Sequence, residues 1–305
     1  MIRNGSQSFI TPPYNVDYKR HAMATVAYNQ PDPDYRRELG ENQSYLKNIL
    51  ISPAHYRAGK KRKFAPTINM EIGSALHCLV LEGKEEFDRR YMLKPEDISL
   101  ATKEGKEWKA SQKGKTILTN NEKEKAWDSV HGMAESLLRL EWFNQSQVDY
   151  RKYNELSIYW EADGIPCKGR LDRLVDMGDH LMILDLKSTD SVEYSTFLKK
   201  LVGGMNYLFQ SAWYAEAASL AYNKPCKFVF AAIERTEPWT LSLFEISDEM
   251  MDEGNRQIKR ARQLLKKCLD AKDWPRPEVC YNVLSLPTWY RSPVSNYSPE
   301  FEDLF

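Results

Sequence analysis

The chain has few cysteines and no two of them close together, no net charge, and no long apolar run. Its five cysteines (Cys78, Cys167, Cys226, Cys268 and Cys280) contain no CxxC pair, which argues against a zinc site or an iron–sulfur cluster. Their odd number, without an apolar leader at the N-terminus, predicts reduced thiols in a cytoplasmic protein. The 43 basic residues match 43 acidic ones, so a nucleic-acid partner cannot be argued from net charge and has to come from local basic patches. No segment holds the roughly 18 uncharged apolar residues of a membrane span. At 42% hydrophobic and 28% charged, the 305 residues are ordinary for a soluble globular protein and long enough for a sizeable core.

Residues 1–40 carry Pro12, Pro13, Pro31 and Pro33 with weak periodicity and read as an irregular N-terminal arm. A helix from about Ser44, with Tyr45, Leu46, Ile49 and Leu50 on its apolar face, ends at Ser52-Pro53. The densest basic cluster follows: Arg57, Lys60, Lys61, Arg62 and Lys63, either a solvated loop or a phosphate-contacting one. Residues 70–83 form a helical stripe through Ala75, Leu76, Leu79 and Val80, capped by Gly83. His77 lies within it and, read alone, is a hydrogen-bonded core histidine. Residues 84–125 are charged and variable. Gly114-Lys115-Thr116 has the ending of a phosphate-binding loop, but Lys109 stands where the loop needs its first glycine, so no ATP is expected. An amphipathic helix over 121–142 turns Trp127, Val130, Met133, Leu137 and Leu138 inward.

The sheet begins near Glu155. Leu156, Ile158 and Trp160 alternate as in a strand, and Asp163-Gly164 is a hairpin signal. The next stretch reads Gly169-Arg-Leu-Asp172-Arg-Leu-Val-Asp176, then Leu181-Met-Ile-Leu-Asp185-Leu-Lys187. Two strands thus each deliver a carboxylate, and alternation projects Lys187 beside Asp185. Carboxylates able to hold a hard divalent cation, with an ammonium next to them, suit phosphodiester cleavage. A pair of exposed hairpin carboxylates with a strand-end lysine is the alternative reading. A linker, 188–197, leads to a helix from Asn206 to Tyr222 that puts Gln210 and Tyr214 on one face. Two strands (227–234 and 239–246), a long helix (248–270) and an irregular tail rich in Pro and aromatics complete the chain.

The order is the informative part: a helix with His77, a strand with Asp172, a strand with Asp185-Leu-Lys187, and a helix with Gln210-x-x-x-Tyr214. It resembles the RecB-like branch of the PD-(D/E)XK nuclease superfamily, with its helical His, GxxD strand, DxK strand and QxxxY helix. The phrases Ser52-Pro53-Ala-His-Tyr56, Gly73-Ser-Ala-Leu-His77 with Leu81-Glu82, and Leu286-Pro-Thr-Trp289 are similar to RecE-type exonucleases (exodeoxyribonuclease VIII). The resemblance covers residues 44–290. Leu171 stands where the superfamily name expects proline, and Gly169 satisfies the RecB-like variant instead.

The resemblance implies an α/β fold: a central mixed β-sheet flanked by helices, with helical additions at the N-terminus. It implies a single domain over 41–290, with its core at 70–246, followed by a tail at 291–305. Asp172 and Asp185 would ligate Mg²⁺ or Mn²⁺, with His77 as a further ligand and the Leu186 carbonyl completing the site. Lys187 would position the attacking water or neutralise developing charge, and Gln210 and Tyr214 would hold DNA or support the site. Glu155 is a weaker candidate carboxylate, and Asp176, on the alternation phase of Asp172, is read as structural. The implied activity is ATP-independent 5′→3′ digestion of one strand at double-stranded DNA ends. A ring-like homo-oligomer, a single-strand annealing partner and a phage or prophage setting in a bacterial host come with it. An endonuclease or flap nuclease on the same core, or a non-catalytic DNA-binding module, are the competing readings; intact Asp172, Asp185 and Lys187 argue against the last.

Overall fold

The computed structural model describes residues 17–20 (backbone only), 23–62, 65–120, 125–144, 153–281 and 283–287. The first sixteen residues, Lys63, the 121–124 start of the expected helix, Trp289 and the tail at 291–305 lie outside the described residues.

A seven-stranded mixed sheet forms the centre. Its strands are β1 (Asp17–Arg20), β2 (Ala24–Tyr28), β5 (Asn154–Ala162), β6 (Ile165–Asp176), β7 (Leu181–Thr189), β8 (Cys226–Glu234) and β9 (Leu241–Glu245), side by side in that order. All neighbours are antiparallel except β7 and β8, which run parallel. A parallel pair needs a crossover, and α8 (Tyr194–Val202) and α9 (Tyr207–Tyr222) supply it. A separate two-stranded ladder joins β3 (Tyr91–Leu93) to β4 (Thr116–Leu118). Asp163 and Gly164, both with positive φ (55° and 73°), turn β5 into β6, the two-residue hairpin that the Asp-Gly pair predicts.

Helices cover both faces. On one, α9 and α10 (Asp248–Ala271) bury Phe209, Trp213, Ile258 and Leu265 against Leu156, Ile158, Leu171, Ile183 and Phe228. On the other, α4 (Ile68–His77) and α7 (Ala126–Leu138) bury Leu76, Val130, Met133 and Leu137 against Met182, Leu184, Leu186 and Val229. The sheet's inner strands are therefore apolar on both sides, which is why residues 181–186 read as a nearly continuous hydrophobic run.

Four expectations need correcting. Residues 17–40 are not an irregular arm: β2 pairs with β5 and buries Val26, Ala27 and Tyr28, and α1 (Asp32–Arg37) follows. A five-residue strand with two alanines is too short to show alternation; it is held by covering the open edge of β5. Of the basic run, Arg57, Lys60 and Lys61 lie not in a loop but in the C-terminal half of α3 (Pro53–Lys61), which starts directly after α2 (Gln43–Leu46) and a 3₁₀ turn, with Ser52 as its N-cap. Within the 188–197 linker, Glu193 caps α8 by accepting from the Ser195 and Thr196 N–H groups. Asp176 is not on the phase of Asp172. Leu171 and Leu174 both enter the core on the α9 face, so the alternation breaks at Asp172–Arg173. Asp176 instead binds Lys224 at the strand's exposed end.

Two helices were not foreseen in the variable region: α5 (Lys84–Arg90) and α6 (Lys103–Ser111). Among the described residues, no helix is long and apolar enough to cross a membrane.

Candidate metal centre

The strand break at Asp172 organises the site. The β6–β7 ladder runs from Asp176↔Leu181 to Arg173↔Leu184 and then stops, while β7 stays paired with β8 to its end. Past the last rung, the Leu186 N–H has no strand carbonyl to meet and donates to Asp172 Oδ2 at 2.8 Å. A carboxylate therefore fills the fork where β6 leaves β7. Glu155 comes to the same place from β5: the rungs Asn154↔Arg173 and Leu156↔Leu171 put it opposite Asp172. Its φ of 48° is rare for a residue with a side chain, a strain of the kind that collects at functional sites.

His77 reaches this fork from the last turn of α4. The helix then widens into a π turn over Cys78–Glu82, and the Leu81 carbonyl accepts from Asn154 Nδ2 at 2.8 Å, which ties the helix end to the start of β5. His77 Nε2 donates to the Leu186 carbonyl at 3.2 Å, and Nδ1 faces Asp172 Oδ1 at 3.7 Å and Glu155 Oε1 at 3.8 Å. One ligand atom from each of His77, Glu155 and Asp172 lies within 4.8 Å of the others, a donor set that suits a hard or borderline divalent cation.

Asp185 is placed differently. On the phase of Leu181 and Ile183, it faces α9, is almost fully buried, and accepts from Gln210 Nε2 at 2.7 Å. Its other oxygen faces the Lys187 ammonium as its ion-pair partner among the described residues. Asp185 and Lys187 thus project together, as strand alternation predicts. Gln210 thus reaches the site through its hydrogen bond to Asp185. Tyr214, one turn on, packs its ring over Gly169, where a Cβ would stand 3.2 Å from the ring. The glycine of the GxxD phrase is thereby explained by packing.

The charges of the site shift one another. Burial raises the Asp172 carboxyl, reinforced by the Asp185 and Glu155 charges and only partly offset by His77 and Lys187. Burial would lower His77, but the Asp172 charge and the Glu155 contacts outweigh it and carry the ring to about 9. Glu155, despite burial, is pulled down to about 2 by Arg170 and His77. Burial also works against the Lys187 charge, yet Asp185 and Asp172 hold its pKa above the ordinary lysine value. Both carboxylates thus favour Lys187 as an ammonium. Carboxylates crowded until one resists ionisation are a place where a cation would bind favourably.

His77, Glu155, Leu186 and Lys187 line a cleft of about 820 Å³, together with Arg36, Asn69, Ser74, Arg90, Arg170 and Arg235. The arginines were given no role from the sequence, and Glu82, also in the cleft, figured there only as part of the Leu81-Glu82 phrase. For Arg170 a signal existed: it lies inside the GxxD phrase, two residues before Asp172, and so on the same strand face.

A mixed sheet forked at a carboxylate, between a histidine helix and a glutamine helix, defines the PD-(D/E)XK class of fold. Residues 42–283 match the PDDEXK-like domain of unknown function, and the chain belongs to that family. Among solved structures, the "putative exonuclease" of Eubacterium rectale is similar with a TM-score of 0.55 at 14% identity, over 85% of this chain and 96% of its own. At that identity the likeness speaks for the fold. A second, SSO0001, aligns with a TM-score of 0.28 at 17% identity over 49% of this chain and 60% of its own, too little to bear on the fold. No curated protein matches the sequence.

Proposed function

We propose that the protein is a divalent-metal-dependent nuclease, and specifically an ATP-independent 5′→3′ exodeoxyribonuclease acting on linear double-stranded DNA. The observation that carries the nuclease reading is the convergence of His77, Glu155 and Asp172 at the β6–β7 fork, beside a buried Lys187–Asp185 pair. His77, Glu155 and Asp172 would hold Mg²⁺ or Mn²⁺, with Asp185 and the Leu186 carbonyl within the same site. Bound there, the metal would polarise the scissile phosphate and acidify a water. The chain's own part is to hold the site partly buried and charged. Lys187, kept as an ammonium, neutralises negative charge that grows on the phosphate as the bond forms. Gln210 keeps Asp185 from rotating away.

Strand polarity, 3′ single-stranded tails for recombination, a ring-like oligomer and an annealing partner are supported by the resemblance to RecE-type exonucleases. The similarity to the Eubacterium rectale structure is in keeping with an exonuclease reading. The test is digestion of a linear duplex labelled at either 5′ or 3′ end, with and without Mg²⁺, alongside a covalently closed circle. Loss of the 5′ label first, with the circle intact, is the expected result. Cutting of the circle would replace the exonuclease reading with an endonuclease one.

A further inference from the structure

Glu155 has two oxygens with different jobs. Oε1 faces His77 Nδ1, and Oε2 accepts from Arg170 Nε at 2.6 Å. Strand geometry alone cannot aim this side chain, because its backbone is in the left-handed region and outside the regular ladder. The aim has to come from side-chain partners, and of the two that face Glu155 the Arg170 Nε is the nearer, at 2.6 Å against 3.8 Å for His77 Nδ1.

Arg170 is itself held. Its side chain is 11% exposed, its Nη1 lies 3.6 Å from Asp32 Oδ1, and the Tyr35 ring lies 5.8 Å from its guanidinium carbon. Asp32 and Tyr35 belong to α1, which is fixed in turn by Lys168. That ammonium, buried between α1 and β6, donates to the Tyr35 and Glu38 carbonyls at 2.9 and 2.6 Å. A planar, permanently charged fork is suited to hold a carboxylate in one orientation between two anchors, which a lysine cannot reproduce.

We propose that Arg170 is a positioning residue that presents Glu155 to the metal, and that Asp32 of the N-terminal segment holds Arg170 for this task. The inference rests on the reading of Glu155 as a metal ligand. It makes the segment before residue 41 part of the site, although that segment contributes no ligand. Partners that orient metal ligands typically change metal affinity by about 10- to 100-fold when lost.

The test is a calorimetric titration of the full chain with Mn²⁺, comparing the wild type with Arg170→Gln, Arg170→Lys, Asp32→Asn and Glu155→Gln, each checked by thermal melting. Arg170→Gln should weaken Mn²⁺ about tenfold or more, Arg170→Lys less, and Asp32→Asn by a few-fold. The activity of Arg170→Gln should recover as Mn²⁺ is raised, which damage to the fold alone would not allow. If Glu155→Gln weakens Mn²⁺ binding while Arg170→Gln and Arg170→Lys bind as the wild type does, the inference fails and the metal site stands. If Glu155→Gln also binds as the wild type does, the ligand reading of Glu155 falls and takes the inference with it. Asp32→Asn, at the cleft surface, keeps the test open should an Arg170 variant fold poorly.

Discussion

Two largely buried charge networks pack against β5 and β6, and they are built to different standards. Beyond the Asp-Gly hairpin end, Glu216 of α9 takes two guanidinium bonds from Arg262 of α10, at 2.6 and 3.0 Å, and a third from Trp160 Nε1 at 2.8 Å. Arg262 also lies 5.0 Å from the Trp213 ring centre. Glu216 and Arg262 there meet within hydrogen-bond reach, with only the guanidinium Nε left over among the described residues. At the fork, three carboxylates crowd together, Asp172 resists ionisation, and its nearest cationic nitrogen is His77 Nδ1 at 3.7 Å. The difference teaches how to read buried charge: a closed network holds helices to a sheet, whereas a carboxylate with no cation within hydrogen-bond reach leaves room for a ligand.

The sharpest way to separate the two is to remove one cation from the fork. Lys187→Met should reduce cleavage by about a hundred- to a thousandfold while leaving Mn²⁺ affinity equal or higher, since Asp185 is freed; single-turnover kinetics and titration report the two effects. The mirror experiment is Glu216→Gln, which leaves the Arg262 charge buried without its counter-charge. It should cost about 2–3 kcal/mol in denaturant unfolding, less than a fully buried pair because Glu216 keeps 25% exposure. It should leave metal affinity unchanged.

Proton linkage offers a finer comparison. Metal-free His77 carries a proton up to about 9, above the ordinary histidine value, so its stabilising contribution is complete below about 6.5 and is lost as pH rises through 9. Asp172 is also raised, so its ionisation with rising pH costs stability in the same direction. A bound cation must displace the His77 proton, and Mn²⁺ affinity should climb by up to about tenfold per pH unit from 6.5 towards 9. Without metal, the melting temperature should fall over that range, and saturating Mn²⁺ should flatten the fall. The smallest effect is expected from Gly169→Ala, which presses the Tyr214 ring by a few tenths of an ångström. It should cost about 1 kcal/mol of stability and leave metal binding intact.

What could be read from the sequence followed from local pattern. Asp185 and Lys187 are two apart on a strand, Gln210 and Tyr214 are one helical turn apart, and their faces follow from the period alone. The fold class came from the order of those elements. Glu155 was visible only as a carboxylate at a strand start, because its role depends on a positive φ and on a register set by a distant hairpin. Asp185 could be placed in the site but not apart from the His77–Asp172–Glu155 group, since that separation comes from the break in alternation at Asp172. The strand β2 and the Asp32–Arg170 contact escaped notice for a related reason. Short alanine-containing strands and single long-range ion pairs leave no periodic trace in a sequence.

The central claim is that the fork is a metal-dependent phosphodiester-cleaving site, and one comparison tests it most directly. End-labelled linear duplex is incubated with Mg²⁺ and either the wild-type protein or Asp172→Asn, with an EDTA control. Asn keeps the acceptor for the Leu186 N–H, so the variant should fold and melt at least as high as the metal-free wild type. The account predicts digestion by the wild type in Mg²⁺, none in EDTA, and a loss of at least about a thousandfold in Asp172→Asn. Digestion that persists in EDTA, or at the wild-type rate in Asp172→Asn, would contradict it.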